Sequence, residues 1–374
     1  MIAPRRDPEI LLRRYWEKPD VAIVTAGLSA LSLGYRLALA VRERAYRWRL
    51  LRIGELPCPV VSVGNITLGG SGKTPMVELV ALCLRELGAA PAVVSRGYGR
   101  ETRGAHVVAD RAGIRLEPRA AGDEPVLLAE RLPGIPVIVG ENRFEAGRLA
   151  VERTGATAIV LDDGFQHRTL RKDLEILVIN GRAPWGNQRL FPRGMLREPL
   201  SALRRADLFV MTNPAGAADV EAAAGTITPH NARAPVLAAS YEVIEARELG
   251  NGRRVRAGDL DSRRLLAFAG LGSPQGFADT LTSVGVRVAG LVEFPDHYWF
   301  TERDLAELAR QARAVGAEGL ITTDKDAVRL RGLTLPSMPL WVLSVRLRLS
   351  SGRDILLRLL GRTLTSTTAG AESL

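Results

Sequence analysis

The sequence predicts an α/β fold, with a parallel sheet covered by helices on both faces and a smaller α/β domain after it. Short apolar runs alternate with helical patterns, a glycine-rich loop joins the first run to a helical stretch, and two carboxylates end a later run. Continuous apolar runs of this length are typical of parallel strands buried on both faces. The predicted strands of the first set are residues 60–63, 92–95, 137–139, 158–161 and 176–179.

A second set of apolar runs predicts the smaller domain. These strands are residues 208–211, 236–239, 265–269, 286–291, 319–322 and 340–345. The expected division is a basic N-terminal segment at 1–55, the glycine-loop domain at 56–204, the smaller domain at 205–362 and a tail at 363–374. The tail is expected to be disordered because it is polar and low in apolar residues.

Composition indicates a globular protein that attracts anions. Hydrophobic residues make up 46% of the 374 residues and charged residues 25%, which excludes a disordered or fibrous chain. The net charge of +10 favours phosphorylated substrates, anionic lipid or nucleic acid as partners. The two cysteines, Cys58 and Cys83, are too few for a disulfide framework and fit a reducing compartment.

The N-terminal segment combines positive charge with an apolar run. Residues 1–55 carry a net charge of +5, and the fifteen residues 21–35 have no charge. A membrane-spanning helix needs about 20 apolar residues, so the run is interpreted as too short to span. Flanking arginines favour a helix lying in the headgroup layer of an anionic membrane. The alternative is an ordinary core helix with a solvated basic continuation.

The glycine-rich loop is the strongest functional signal. It consists of Thr67, Leu68, Gly69, Gly70, Ser71, Gly72, Lys73 and Thr74. A loop of this kind between a strand and a helix directs backbone N–H groups at phosphate oxygens. Lys73 is expected to contact the β- and γ-phosphates, and the Thr74 hydroxyl to bind Mg²⁺. Thr67 stands where the standard pattern has its first glycine.

Two carboxylates, Asp162 and Asp163, end the predicted strand at 158–161. Ligands of open α/β sheets bind at the carboxyl ends of the strands, so this pair is expected beside the glycine loop. Asp162 directly follows the apolar run and is the better candidate for Mg²⁺. Asp163 is expected to point the other way, towards substrate or a second metal position. Helix capping by the pair is the weaker alternative, because glycine follows it.

These motifs resemble the tetraacyldisaccharide 4′-kinase family, whose members phosphorylate the 4′-hydroxyl of a glucosamine disaccharide in lipid A biosynthesis. The matching blocks, in family order, are VGN at 63–65, GGSGKTP at 69–75, SRGYGR at 95–100, GDEP at 122–125, GENR at 140–143, DDGFQH at 162–167, FPRGMLREP at 191–199, AGLGSPQGF at 269–277, FPDHYWF at 294–300 and TTDKDAVRL at 322–330. The family's own loop also lacks the first glycine.

The resemblance implies ATP as phosphate donor and roles for individual residues. Asp123 would act as general base on the sugar hydroxyl, with His297 as its partner. Tyr298 stands where the family often has a second histidine. The other catalytic residues implied are Lys73, Asp162 and Asp163, and the Mg²⁺ ligands are Thr74, Glu124 and Asp162. The residues expected to line the disaccharide-phosphate site are Arg96, Tyr98, Arg143, Gln166, Arg197 and Glu198.

The resemblance also implies the partners and the location. The acceptor would be an acylated disaccharide 1-phosphate that stays in the bilayer, and the enzyme would dock peripherally at the cytoplasmic face of the inner membrane. The oligomeric state and the acyl-chain preference stay open.

Two other classes of protein fit part of the pattern. A P-loop GTPase or metallochaperone-like NTPase would need a guanine-reading N-K-x-D motif, and residues 323–326 (TDKD) resemble one but lie far along the chain. A nucleic-acid binder fits the charge. The sequence has no recognised motif of basic residues interleaved with aromatics, so no nucleic-acid partner is expected.

Overall fold

The computed structural model describes residue 16 and residues 22–261, 263–272 and 274–371. The predictions for 1–55 and 363–374 therefore fall partly outside the described residues. By internal contacts the chain divides into two compact units. The larger unit extends to Ser240 and resumes at Leu347, and the smaller unit comprises Tyr241–Arg346 within that span.

Fourteen strands and ten α-helices are described. The strands are β1 (Val60–Gly64), β2 (Pro91–Ser95), β3 (His106–Asp110), β4 (Gly113–Ile114), β5 (Val137–Val139), β6 (Ala158–Asp162), β7 (Leu174–Asn180), β8 (Leu208–Thr212), β9 (Val236–Glu248), β10 (Arg254–Val255), β11 (Arg264–Ala269), β12 (Arg287–Glu293), β13 (Gly319–Thr323) and β14 (Leu340–Leu349). The helices are α1 (Ala22–Arg47), α2 (Lys73–Glu86), α3 (Pro118–Ala121), α4 (Asp123–Arg131), α5 (Arg143–Thr154), α6 (Ala217–Ile227), α7 (Pro274–Ser283), α8 (Glu302–Ala314), α9 (Asp324–Arg329) and α10 (Arg353–Ala371).

The larger unit is built on a sheet of order β8-β7-β1-β6-β2-β5-β3-β4. Pairing is parallel from β8 to β5, whereas β3 and β4 are antiparallel to their neighbours. Every residue of β1, β2, β6 and β8 is buried, which is why continuous apolar runs predict them. The predicted α/β class is confirmed. Val63 of β1 is level with Asp162 of β6, so both strands end at the edge where the glycine loop begins.

The strands of the smaller unit have the order β12-β11-β13-β14 and are all parallel. An antiparallel pairing of β10 with β9 adds a short hairpin. The core on one face contains Phe268, Phe294 and Phe300. Their rings meet edge to face, with centroids 5.5 Å apart for Phe268 and Phe300 and 4.9 Å apart for Phe294 and Phe300.

The unit boundary differs from the expected position at residue 205. Strand β8 pairs in parallel with β7, and the first residues of β9 pair with β8, so both belong to the larger unit. The change of unit falls between Ser240 and Tyr241, inside β9. An apolar run predicts a strand without predicting which sheet it joins, so the strand at 208–211 was assigned to the wrong domain.

The C-terminal tail also differs from its prediction. Helix α10 extends to Ala371, so residues 363–371 are helical where disorder was expected. Leu356 and Leu360 of this helix are fully buried, and Arg353 forms an ion pair with Glu86 of α2. Once its first turns are fixed by packing, a helix extends at little further cost.

The N-terminal helix is longer than its uncharged run. α1 has 26 residues, and its segment Val24–Arg47 is long and apolar enough to cross a membrane by length and composition. The argument that the segment is too short to span was therefore wrong. A single arginine, Arg36, interrupts the apolar sequence, which resumes as LALAV at residues 37–41 and lengthens the helix.

Candidate active site

The phosphate loop joins β1 to α2, as the sequence predicts. Helix α2 begins at Lys73, and Gly72 immediately before it has a φ of 85°. Gly69 also has a positive φ, of 96°. Only glycine adopts such angles without strain, so both positions require it. The first amides of a helix lack partners within the helix and carry the positive end of its dipole, which makes this a site for phosphate oxygens.

Four side chains fix the shape of the loop, and three of them stand at or directly after the end of a strand. Asn65 Nδ2 donates to Ser71 Oγ over 2.9 Å, and Gln166 Nε2 donates to the Asn65 carbonyl oxygen over 2.7 Å. Asn180 Nδ2 donates to the Gly70 carbonyl oxygen over 3.2 Å. Thr212 Oγ1 lies 3.1 Å from the Ser71 carbonyl oxygen. The loop thus takes its shape from side chains of the protein itself.

A later chain segment packs along the first half of the loop. The Leu68 N–H donates to the Met195 carbonyl oxygen, and the Arg197 N–H donates to the Ile66 carbonyl oxygen, each over 2.7 Å. Thr67, the residue that replaces the first glycine, is buried. The FPRGMLREP block therefore forms one wall of the phosphate loop.

Asp162 lies at the end of β6 and is only 2% exposed. Ser95, at the end of β2, donates from Oγ to its Oδ2 over 2.8 Å. Burial raises the pKa of Asp162 to about 7, and the charges of Glu124 and Asp163 act in the same direction. A buried carboxylate with acidic neighbours favours the approach of a cation.

Asp163 pairs with two cations. Arg197 Nη1 donates to both of its carboxylate oxygens, over 3.1 and 2.8 Å, and Lys73 Nζ lies 3.6 Å from Oδ1. Burial opposes ionisation, but Lys73 and Arg197 hold the pKa of Asp163 at about 2. Its φ of 52° is unusual for a residue other than glycine. The two carboxylates of DDGFQH thus have opposite environments.

The donors at this edge suit Mg²⁺. Mg²⁺ is held by one or two carboxylates together with substrate phosphates, and seldom by a complete protein cage. Among the described residues no group of three His, Cys, Asp or Glu side chains could hold a metal alone. Thr74 lies in the first turn of α2, and the negative charge of Glu124 acts on Asp162. This partial oxygen set fits a magnesium ion that reaches the site with a nucleotide.

Asp123 begins helix α4 and is 3% exposed. Its Oδ1 accepts a hydrogen bond from the Glu124 N–H over 2.9 Å. Gly122 before it has a φ of 95°, and a Cβ there would lie 3.2 Å from Gly97 Cα and from the Tyr98 carbonyl oxygen. The GDEP and SRGYGR turns are therefore in close contact.

The residues predicted to line the substrate site separate into two groups. Arg96 and Tyr98 are exposed, the latter by 62% of its surface, and Arg197 is bound to Asp163. Arg143, by contrast, is only 3% exposed and donates to the Gly140 carbonyl oxygen over 2.9 Å. The charges of Asp162, Asp163 and Arg96 act on its guanidinium. The structure brings these cations to the carboxyl ends of the strands.

Gln166 and Glu198 have structural partners. Gln166 supports the loop through Asn65, and Glu198 accepts two hydrogen bonds from Arg205, over 2.7 and 3.2 Å. Glu198 is 4% exposed, and Arg42 of α1 lies 3.7 Å from it. Both of its carboxylate oxygens are thus occupied by arginines of the chain.

His297 belongs to the smaller unit, whereas Asp123 belongs to the larger one. Its backbone N–H donates to Asp296 Oδ1 over 3.0 Å, and its φ is 60°. Lys325 Nζ lies 3.1 Å from Asp296 Oδ1 and 3.5 Å from His297 Nε2. Although burial opposes it, Lys325 lowers the pKa of Asp296. The FPDHYWF and TTDKDAVRL blocks thus meet at one cluster.

Sequence reasoning missed the residues that support the site. Asn65 stands in the VGN motif without a predicted role of its own, and Ser95, Asn180 and Thr212 were not predicted as site residues. Asn65, Ser95, Asn180 and Thr212 all stand at or directly after the carboxyl end of a strand. A polar residue at the end of an otherwise apolar run is the signal that could have found them.

A parallel sheet, a glycine loop that opens a helix and a carboxylate on the adjacent strand define a P-loop protein that binds nucleoside phosphates. The family model described as tetraacyldisaccharide-1-P 4′-kinase matches residues 24–363. The chain belongs to that family and is a kinase.

Named relatives and a solved structure support the same family. The chain is 41% identical over 349 residues to a tetraacyldisaccharide 4′-kinase of Syntrophus aciditrophicus (strain SB), covering 90% of this chain and 93% of the relative. A tetraacyldisaccharide 4′-kinase of Geobacter metallireducens is 44% identical over 309 residues, covering 82% and 89%. A crystal structure of "apo" form LpxK from Aquifex aeolicus in complex with ATP matches with a TM-score of 0.72 at 32% identity, covering 91% and 99%. The predicted family is confirmed, and the GTPase or metallochaperone alternative is not supported.

Proposed function

We propose that the enzyme transfers the γ-phosphate of ATP to the 4′-hydroxyl of a tetraacylated glucosamine disaccharide 1-phosphate. The observation that carries the proposal is the pairing of the loop lysine, Lys73, with Asp163 beside the buried Asp162. This pairing joins a phosphate-binding group to the carboxylates that phosphoryl transfer requires. The relatives' names support the acceptor, and the ATP complex of the Aquifex protein supports the phosphate donor.

Nucleotide binding is assigned to the loop at 67–74. Its backbone N–H groups hold the β- and γ-phosphates, and Lys73 exchanges Asp163 for phosphate oxygens when ATP binds. Lys73 is 16% exposed and Asp163 33% exposed, so the pair is open enough to separate. Bound Mg²⁺, held by Thr74, Asp162 and Glu124, would neutralise charge on the phosphate oxygens.

Acid–base chemistry is assigned to Asp123. Its carboxylate takes the proton from the 4′-hydroxyl as the oxygen forms its bond to phosphorus. Asp123 is the first residue of α4, and its Oδ1 already accepts the Glu124 N–H, which fixes the orientation of the carboxylate. His297 is assigned as its partner on the family resemblance, and Lys325 and Asp296 hold the backbone and ring of His297 in place.

The acceptor headgroup is assigned to the cations at the strand ends. Arg96 and Arg197 suit a substrate that already carries a phosphate, because a guanidinium binds phosphate through two parallel hydrogen bonds. Tyr98, two residues after Arg96, is exposed and is assigned to the same headgroup site. The buried Arg143 and Glu198 and the half-buried Gln166 contribute by fixing the shape of this wall.

Membrane docking is assigned to α1, at the cytoplasmic face of the inner membrane. Leu33, Leu37 and Val41 expose 58%, 60% and 64% of their surface. Arg36 is exposed near the middle of the helix. A charge at the centre of a bilayer costs about 3 kcal/mol, so a peripheral position in the headgroup layer is favoured over a span.

The test is transfer of labelled γ-phosphate to detergent-dispersed disaccharide 1-phosphate, with ATP and Mg²⁺. Asp123→Asn is expected to reduce kcat by about 10²- to 10⁴-fold, the usual share of a general base. Asp110→Asn, the same change on a peripheral hairpin, is the matched control. Near-normal turnover of Asp123→Asn would contradict the assignment of Asp123 as general base and leave the rest of the proposed function intact. Near-normal turnover of Lys73→Ala, or GTP serving as well as ATP, would contradict the proposed ATP-dependent reaction itself.

A further inference from the structure

Helix α1 has two different faces. Ser32, Tyr35, Arg42 and Glu43 lie on one stripe, since residues three, four, seven and eleven apart share a helix face. Each of them contacts the segment between residues 168 and 205 of the same unit. The opposite stripe carries the exposed apolar residues assigned above to the membrane. One face of the helix is thus free for lipid, and the other is bound to the protein.

The bound face holds the FPRGMLREP block, and Leu190 directly before it, through backbone carbonyl oxygens. Ser32 Oγ donates to the Leu190 carbonyl oxygen over 3.0 Å, and the Tyr35 hydroxyl donates to the Arg197 carbonyl oxygen over 2.7 Å. The Tyr35 ring meets the Phe191 ring edge to face, with centroids 6.2 Å apart. Burial raises the pKa of Tyr35, so the hydroxyl stays protonated and able to donate.

Arg197 is consequently held from three directions. Its N–H donates to Ile66 just before the phosphate loop, its carbonyl oxygen accepts from Tyr35, and its guanidinium binds Asp163. Asp163 is in turn the partner of Lys73. A continuous series of contacts thus runs from the N-terminal helix to the loop lysine.

We propose that Tyr35 is a positioning residue for phosphoryl transfer: its hydrogen bond fixes the Arg197 peptide and thereby aims the Arg197 guanidinium at the acceptor site. The N-terminal helix is therefore part of the catalytic apparatus as well as the attachment to lipid. The inference rests on the role given to Arg197 in the proposed function. A shift of about 1 Å in a substrate-positioning group is enough to slow a reaction strongly.

The experiment compares Tyr35→Phe with Tyr46→Phe. Both remove one hydroxyl from α1, and Tyr46 contacts Arg168 through its ring face, at 5.2 Å, which phenylalanine retains. Turnover is measured on acceptor dispersed in detergent micelles, where attachment to a bilayer does not limit the rate. Sedimentation with anionic phospholipid vesicles and thermal melting are measured on the same proteins.

Tyr35→Phe is expected to lower kcat about three- to tenfold, the range for loss of one hydrogen bond, with sedimentation unchanged and the melting temperature lowered by no more than about 4 °C. Tyr46→Phe is expected to match wild type throughout. In an Arg197→Lys background, Tyr35→Phe should have a much smaller effect, because residues acting through one group are not additive. Ser32→Ala removes the hydrogen bond to the Leu190 carbonyl oxygen, one turn earlier on the helix, and is expected to lower kcat in the same way.

Wild-type kcat in Tyr35→Phe, together with a clear loss in Arg197→Lys, would overturn this inference and leave the proposed function intact. Equal loss of sedimentation and kcat would also overturn it, because the helix would then act only as an anchor. Full activity in Arg197→Lys would instead contradict the proposed role of Arg197.

Discussion

Arg197 binds Asp163 through one guanidinium nitrogen that contacts both carboxylate oxygens, at 3.1 and 2.8 Å. The same carboxylate neutralises Lys73. We expect Asp163→Asn to bind a non-hydrolysable ATP analogue several-fold more tightly, because a negative charge near the triphosphate is lost and Lys73 is released. We expect kcat to fall at least tenfold, because Arg197 loses its charged partner.

The two effects are separated by calorimetric titration without acceptor and by steady-state turnover. Asp219→Asn, which removes the same charge from α6, is the control. Unchanged nucleotide affinity in Asp163→Asn would contradict the idea that Asp163 competes with phosphate for Lys73.

The lowered pKa of His167 leads us to expect that the stability of the fold depends on pH. Burial, and then the charges of Arg143, Lys172 and Arg96, lower the pKa of His167 from 6.5 to about 4. Below pH 6.5 the unfolded chain takes up a proton that the folded chain refuses until about pH 4. The stabilisation associated with neutral His167 is therefore complete above pH 6.5 and is lost as the pH falls towards 4.

Urea denaturation at pH 7.5 and pH 5.0 measures this difference. We expect wild type to lose more free energy of unfolding between the two pH values than His167→Asn. His230→Asn, at an exposed position of the same unit, should behave like wild type. Equal losses in wild type and His167→Asn would show that the imidazole accepts its proton in both states.

Asn65 is expected to set the shape of the phosphate loop. Asn65→Ala removes the bond to Ser71 Oγ, which is worth about 1 kcal/mol, so affinity for an ATP analogue should fall about fivefold. Ser71→Ala should weaken binding to a similar extent. The double variant should be no weaker than either single one, and additive losses would mean that the two residues act separately.

Substitution by alanine should have opposite effects on the free energy of unfolding at Gly64 and at Gly34. A Cβ at Gly64 would lie 2.5 Å from Phe165 Cβ and 2.7 Å from the Phe165 backbone nitrogen, so Gly64→Ala should destabilise by about 1–3 kcal/mol or more. A Cβ at Gly34 meets nothing within 4 Å, and alanine there should stabilise the helix by about 0.5–1 kcal/mol. The free energy of unfolding of each variant checks the signs, and a neutral Gly64→Ala would mean that β1 and the DDGFQH turn can separate.

Features of the fold that depend on a local sequence pattern could be predicted from the sequence. Parallel strands such as β1 and β6 read as continuous apolar runs, and the phosphate loop depends on residues that are adjacent in the chain. The antiparallel strands β3 and β4 escaped prediction because they are short and partly exposed. No sequence spacing could show that Glu198 would be taken by Arg205, or that Arg197 would bind Asp163, since side-chain partners are chosen by the packed fold.

The return of the chain to the larger unit at Leu347 makes the smaller unit an insertion within it. During synthesis, the sites that receive Leu356 and Leu360 cannot be filled until α10 has left the ribosome, long after the phosphate loop has emerged. We therefore expect folding of the nucleotide site to wait until α10 has been synthesised. We expect a chain stopped after Ser350 to be cleaved by protease throughout the larger unit, and protease resistance of that shortened chain would refute the postponement.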